Sequence, residues 1–428
     1  MTQSNTKSNK EIKKVAVVGS GIAGLITAWL LSKKYSVTLF ESNNYVGGHS
    51  NTVEVSSNNN SYNIDTGFVV FNTINYPNLC QLLDYLNIKS VDSNMSFSVS
   101  MGDPNLEYCS NGFDGFFAQR KNIFAISHWC MLIDLLRFYN SGRQFVNIDD
   151  HQKTVGDFLY ECNYSKKFIE YHILPMIGAI WSVPLSTATD FPISSVFSFF
   201  NNHALLQFRN RPIWKTIKDG SRSYVTKLVQ DMNASIFCNR EVVKVIRDSN
   251  DILVEDHLGN RESFDAVIIA THADEALTIL DHPTTLEKEL LGSIKYQENR
   301  AVLHKDPLLM PRRKKAWSSW NVLKPNLNSN NINVTYWMNN LHKIKGFPDI
   351  FLTLNPVIEP NKDSIEREFL YHHPIITSSA ILARKKLDLL QGQGNIWFCG
   401  SYFGYGFHED ALLSGIKVAR YFGVRQPW

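Results

Sequence analysis

Three glycines at fixed spacing, Gly19, Gly21 and Gly24, stand directly after the apolar run Val15–Val18 in a chain of 428 residues. G-x-G-x-x-G between a strand and a helix is suited to a pyrophosphate. The first glycine permits the tight turn. The second carries no side chain to keep phosphates off the backbone, and the third lets helix and strand pack closely. Ile22 and Ala23 lie where the helix offers its first backbone N–H groups and the positive end of its dipole to an anion. Glu41 follows about twenty residues on, with Ser42 beside it, where an acid accepts hydrogen bonds from ribose hydroxyls. Its charge also opposes a 2′-phosphate. The chemistry is therefore dinucleotide binding, and this turn alone does not separate NAD from FAD.

The elements needed to place these residues are legible around them. "VAVV" reads as a buried parallel strand, Leu25–Lys34 as a helix and "SVTLFE" as the second strand, one βαβ unit. "NTVEV" and "YNIDTG" flank an Asn/Ser-rich turn and predict a hairpin. Residues 77–87 carry leucines at helical spacing, and "NIFAISHWCMLIDLLRFY" reads as a helix apolar over most of its circumference. Strand patterns return over 234–270. "NIWFCG" reads as a last strand and "EDALLSGIKVARYFG" as a last helix. The spacing predicts a discontinuous dinucleotide-binding domain from 12–90, 215–275 and 393–425, with 91–214 and 276–392 forming a second, substrate domain. The cleft between them is the expected active site. Residues 1–11 read as a disordered tail.

Composition bounds the rest. Hydrophobic content of 44% and charged content of 19% fit a folded chain with large cores. A net charge of +3, without a basic stretch interleaved with aromatics, argues against nucleic acid as a partner. The six cysteines are scattered and form no CxxC pair, so neither a metal site nor a disulfide framework is expected. The polar N-terminus lacks an apolar signal region, and the expected location is cytoplasmic, with a peripheral position at the membrane left open. Oligomeric state is not legible. GxSxG and HExxH are both missing, so hydrolysis has no support.

The continuation past Glu41, "ESNNYVGGHSNTVEV", adds the Gly47–Gly48 doublet. With GxGxxG and the acid, this resembles the flavin-containing amine oxidoreductase superfamily. More closely it resembles a subgroup of predicted NAD/FAD-binding oxidoreductases linked to modification of lipid acyl chains. "IDTGFVVFN", "IGAIWSVPL", "RPIWKTIKDGSRSYV", "ATHADEAL" and "WFCGSYFGYGFHEDALLSG" carry the likeness from about Lys14 to Gly423. The resemblance implies an α/β fold with a Rossmann-like FAD-binding domain of the amine oxidase/glutathione-reductase type and a second, mixed α+β substrate domain. It implies FAD as cofactor. It implies that Thr66, Gly67 and Phe68 border the flavin ring and that the Val242 backbone meets the adenine. The superfamily usually has arginine where His49 stands, and often glutamate where Ser401 stands. Both departures weaken the analogy to true amine oxidases.

A flavin explains the stretch Trp397–Gly415. Gly400, Gly404 and Gly406 let the backbone run against a flat ring, and Tyr402, Phe403, Tyr405 and Phe407 could line the cavity over it. A helix beginning near Glu409–Asp410 would aim its positive end at the flavin edge that gains charge on reduction, one acid capping the helix. Tyr405 and His408 are the candidates for catalysis. The Phe- and Trp-rich second domain suggests a hydrophobic substrate, most simply a fatty acyl chain or lipid, undergoing dehydrogenation or desaturation. Two alternatives stand: an amine oxidase releasing hydrogen peroxide, and a non-catalytic flavin-binding partner protein. The run Arg312–Lys315 suggests contact with anionic lipid headgroups.

Overall fold

The computed structural model describes residues 12–57, 60–102, 106–145, 152–207, 211–248 and 251–428. The tail expected at 1–11 lies outside them. The chain groups into two compact units. One contains the segment ending at Gly48, Tyr224–Ile294 and Ala383–Trp428. The other contains His49–Ser223 and Lys295–Leu382.

The first unit is built on a five-stranded, wholly parallel sheet. Its strands run Ala234–Phe237, Ser36–Phe40, Lys14–Val18, Ala266–Ile269 and Ile396–Phe398 across the sheet. Strands covered on both faces read as unbroken apolar runs, and Val15, Ala16 and Val17 are fully buried. Helix Ile22–Leu31 crosses between the first two strands in chain order, and all its residues are buried. The long apolar run Val15–Leu31 is thus a strand and a helix covered by protein, and has no need of a membrane. The helix begins at Ile22, three residues before the predicted start, because the glycine turn itself supplies its N-cap at Gly21. The C-terminal helix, His408–Tyr421, packs on it where Gly415 meets Ala23: a Cβ at 415 would lie 2.5 Å from the Ala23 carbonyl oxygen. A three-stranded antiparallel sheet, Val242–Arg247, Ile252–Asp256 and Arg261–Phe264, completes this unit's strands.

The second unit holds a seven-stranded mixed sheet, a small three-stranded sheet and the helices between residues 112 and 202. The predicted hairpin forms as Thr52–Ser57 against Asn60–Asp65. Its Val53, Val55 and Ile64 join the buried cluster of Ala301, Leu303 and Leu352. That packing draws the stretch after Gly48 into the second unit, whereas the sequence reading kept 49–90 with the first. Local pattern shows that a hairpin forms but not which core it joins.

The aromatic residues that suggested an apolar substrate are largely core. Phe138 and Phe158 lie 5.0 and 5.2 Å from Phe197, ring centre to ring centre, and all three are fully buried. The substrate class therefore needs support from elsewhere. Among the described residues no helix is long and apolar enough to cross a membrane, and no cluster of His, Cys, Asp and Glu could hold a metal ion. All six cysteines are free.

Candidate functional site

The glycine turn is held by contacts that the spacing only hints at. A Cβ on Gly24 would overlap the Gly19 carbonyl oxygen, so the helix can approach the strand end this closely only without one. The Gly19 N–H donates to the Phe40 carbonyl at 2.8 Å, tying the turn to the second strand. Glu41 is 5% exposed, and its carboxylate accepts from the chain itself. Ser20 gives its N–H at 3.0 Å and its hydroxyl at 2.5 Å, Asn43 gives N–H and Nδ2 at 2.8 Å each, and the Ser42 hydroxyl lies at 3.3 Å. A carboxylate has about four acceptor positions. Glu41 is therefore first the tie between second strand and turn, and any ribose hydroxyl shares it with that network. Ser20, buried and bonded to the acid, stands at the variable position of GxG, where the motif itself gives no signal; a hydroxyl beside a required acid is the one available.

The doublet closes on the same turn. The Gly47 N–H donates to the Ser20 carbonyl at 3.0 Å. Gly48 has φ +56°, and a Cβ on it would lie 3.0 Å from the Gly21 Cα. Backbone meets backbone here, which explains the need for glycine. At Gly21 the situation reverses: a Cβ would meet nothing within 4 Å, and no side chain caps the helix behind it. Open ground before an uncapped helix N-terminus, bordered by the doublet and a buried acid, fits a dinucleotide pyrophosphate. Val242, expected near the adenine, is the buried first residue of its strand.

The last strand ends beside this turn within the same unit. Ala270 and Thr271 continue the strand between: Gly19 approaches the Ala270 carbonyl, and Gly400 approaches that of Thr271. Gly400 also donates its N–H to the Ser414 hydroxyl at 2.9 Å. Ser401 opens a short 3₁₀ turn, and its carbonyl accepts from the N–H groups of Gly404 and Gly406. Of the four aromatics in this segment, Tyr402 is buried and packs on Phe403 at 5.0 Å, while Phe403, Tyr405 and Phe407 are half-buried.

The acid that caps the last helix is Asp410. It accepts from the N–H groups of Tyr405 and Phe407, both at 2.9 Å. Burial pushes its carboxyl up to about 6 against the pull of those bonds and of Arg384. Arg384 lies over the Tyr405 ring at 4.3 Å and donates to the Gly404 carbonyl at 2.8 Å. The helix starts at His408, ahead of both acids, and Glu409 is buried in its first turn. His408 is half-buried, its Nε2 2.9 Å from the Tyr224 hydroxyl, and desolvation lowers its pKa to about 3. It is a neutral imidazole with a partner in the fold.

In the second unit, His49, Thr66, Gly67 and Phe68 form a compact group. The Phe68 N–H donates to the His49 carbonyl at 2.7 Å, and a Cβ on Gly67 would overlap that carbonyl. The Thr66 hydroxyl lies 3.1 Å from the Asn51 carbonyl and 2.8 Å from the Tyr371 hydroxyl. Asn51 Nδ2 also reaches Tyr371, at 3.1 Å, and the His49 ring packs on Tyr371 at 4.9 Å. Nothing local marks Tyr371, which is separated from Thr66 by 305 positions.

Comparison with known proteins agrees with this geometry. Residues 17–86 match the NAD(P)-binding Rossmann-like domain, and residues 149–303 match the family described as flavin containing amine oxidoreductase. Residues 149–303 thus carry the signature of the flavin-containing amine oxidoreductases. The chain's cofactor is FAD, and the open ground at Gly21, the buried acid and the glycine doublet fit that group. A 61-residue stretch is 43% identical to a 1-hydroxycarotenoid 3,4-desaturase of Flavobacterium sp. (strain P99-3), covering 14% of this chain and 12% of that relative's length. The fold matches that of a CLA-producing fatty acid isomerase from P. acnes at TM-score 0.68 and 13% identity, over 97% of this chain and all of that one. A putrescine oxidase variant matches at TM-score 0.68 and 15% identity, over 96% and 98% of the two chains. At such identities these two structures speak for the fold alone.

Proposed function

We propose that this chain is an FAD-dependent oxidoreductase that dehydrogenates a hydrophobic substrate, a fatty acyl chain or lipid. The observation that carries the substrate class is the 61-residue likeness, at 43% identity, to a protein named as a carotenoid desaturase. That name denotes removal of hydrogen from an apolar chain.

FAD, when bound, supplies hydride or electron acceptance at its N5. The chain's own part is to bind, orient and keep dry. Gly21 and the uncapped helix end would receive the pyrophosphate, with Ile22 and Ala23 giving N–H groups. Gly400, Ser401 and the helix end held by Asp410 would border the ring. Held neutral by burial, His408 adds no charge beside a developing negative edge, and Asp410 has its oxygen turned to Tyr405 and Phe407. Neither is placed as a strong base, which agrees with removal of hydride from carbon. Tyr405 is fixed by Arg384 and would help shape the cavity.

Anaerobic mixing of the yellow protein with acyl lipid, and separately with primary amines, tests this reading. Bleaching by lipid alone is expected. Bleaching by amines, with peroxide released on admitting air, would move the assignment to amine oxidation. Bleaching by neither would leave a flavin-binding partner protein.

A further inference from the structure

Helix Ile126–Phe145 carries two apolar stripes, and the fold uses only one. His128, Met131, Leu135 and Phe138 face inward and are buried. Ile126, Trp129, Ile133 and Leu136 repeat at the same three- and four-residue spacing on the other side, exposed by 80%, 38%, 55% and 49%. Phe124, just before the helix, is 88% exposed, and Phe113 is 60% exposed with its ring 6.3 Å from Trp129. These residues make one contiguous face. Large apolar side chains so grouped mark an interaction surface.

The surroundings of the face are basic. Its acids already have cations: Asp114 pairs with Arg120 at 2.7 Å, Asp134 with Arg137 at 2.6 Å and Glu170 with Lys166 at 3.7 Å. Lys167 reaches Ser127 at the start of the helix. The basic run lies alongside, since the Lys315 charge acts on Asp114 and its carbonyl accepts from Cys109. Within that run Arg313 is committed to buried Glu107 at 2.9 Å. Among the described residues Lys121, Lys314 and Lys315 form no ion pair; Lys315 acts on Asp114 only through its charge, and Lys314 lies over Trp317. The Trp129 indole N–H is already given to the Ile123 carbonyl at 2.8 Å, so the ring can enter an apolar phase with no donor stranded. Positive charge unmatched by the chain, around an apolar face with its polar groups satisfied, complements negatively charged headgroups over hydrocarbon.

We propose that this face, centred on Phe124, Ile126 and Trp129, docks on the surface of an anionic lipid bilayer. The apolar stripe enters the acyl boundary, and Lys121, Lys314 and Lys315 meet the headgroups. The stripe from Ile126 to Leu136 is about 15 Å long, so the helix lies along the surface and does not cross it. The inference stands independently of the substrate assignment.

The test is flotation of the FAD-loaded full chain with vesicles of equal parts phosphatidylcholine and phosphatidylglycerol, against phosphatidylcholine alone. Binding to the anionic vesicles is expected. The exposed-site double variant Phe124→Ser/Ile126→Ser should partition about a hundredfold less, about tenfold per side chain. Lys314→Gln/Lys315→Gln should lose about fivefold per charge on anionic vesicles and little on neutral ones. The serine variant should keep its FAD absorbance and its bleaching by detergent-dispersed substrate, so loss of docking and loss of the flavin reading are separately visible. Three results would overturn the proposal: no binding of the parent chain to anionic vesicles, equal binding of parent and serine variant, or a parent dimer that the serine changes split into monomers.

Discussion

Two ends of the first unit, both expected at the cofactor, are held in place by different means. At the glycine turn the close fit is made by backbone: Gly24 against Gly19 and Gly48 against Gly21. At the end of the last strand it is made by side chains: Asp410 on two N–H groups, His408 on Tyr224, Arg384 over Tyr405. Backbone fit depends on having no side chain and is indifferent to pH. Side-chain fit rests on ionisable groups, and burial moves their titration. The first end should fail all at once when space is filled or charge added. The second should change by degrees.

The largest break is Gly21→Asp. The site has room for the Cβ, so the chain should fold, with a thermal midpoint near that of the parent apoprotein. Retention of FAD should weaken by about a thousandfold, the equivalent of about 4 kcal/mol between like charges roughly 4 Å apart at an effective dielectric near 20. Absorbance of the isolated protein reads this directly, and a normally yellow variant would remove the pyrophosphate from this turn.

Glu41→Ala comes next. If the carboxylate is first a tie within the chain, its loss leaves the buried donors of Ser20 unmatched and costs about 1–3 kcal/mol. Denaturant melts of the apoprotein should show that cost. A variant as stable as the parent without FAD, and weaker only with it, would make Glu41 a ribose ligand alone.

At the other end, pH sharpens the contrast. Asp410 has a folded pKa of about 6 against an ordinary 3.8. The folded state then holds the proton more tightly, so this group's stabilisation is full below 3.8 and is lost as pH rises through about 6. Four partly or wholly desolvated histidines act oppositely: His172, His203 and His304 are lowered to about 4 and His408 to about 3. Their contribution is full above 6.5 and is lost as pH falls toward those values. Asp410→Asn should therefore steepen the acid side of the stability curve between pH 4 and 6 while keeping an acceptor for the Tyr405 and Phe407 N–H groups. An unchanged curve would show that Asp410 titrates normally.

Tyr224→Phe gives the smallest expected effect. It removes one hydrogen bond to His408 and should cost about 1 kcal/mol. A loss of turnover far beyond that, with stability retained, would return His408 to the chemistry.

Residue types and spacing alone determined the βαβ unit, the glycine turn, the acid, the doublet and the last strand and helix. These rest on local rules: a parallel strand must be apolar throughout, a phosphate turn must lack side chains, and a helix must repeat near 3.6. Only the tertiary structure decided that the hairpin after Gly48 joins the second core, that Glu41 is engaged by Ser20 and Asn43, and that Tyr371 meets Thr66. It also decided which apolar residues are core. Phe138 and Phe197 are buried together, whereas Phe124 and Ile126, no less apolar, stand in solvent. Sequence patterns record what a side chain prefers; what covers it depends on distant segments, whose placement is set by packing over the whole chain.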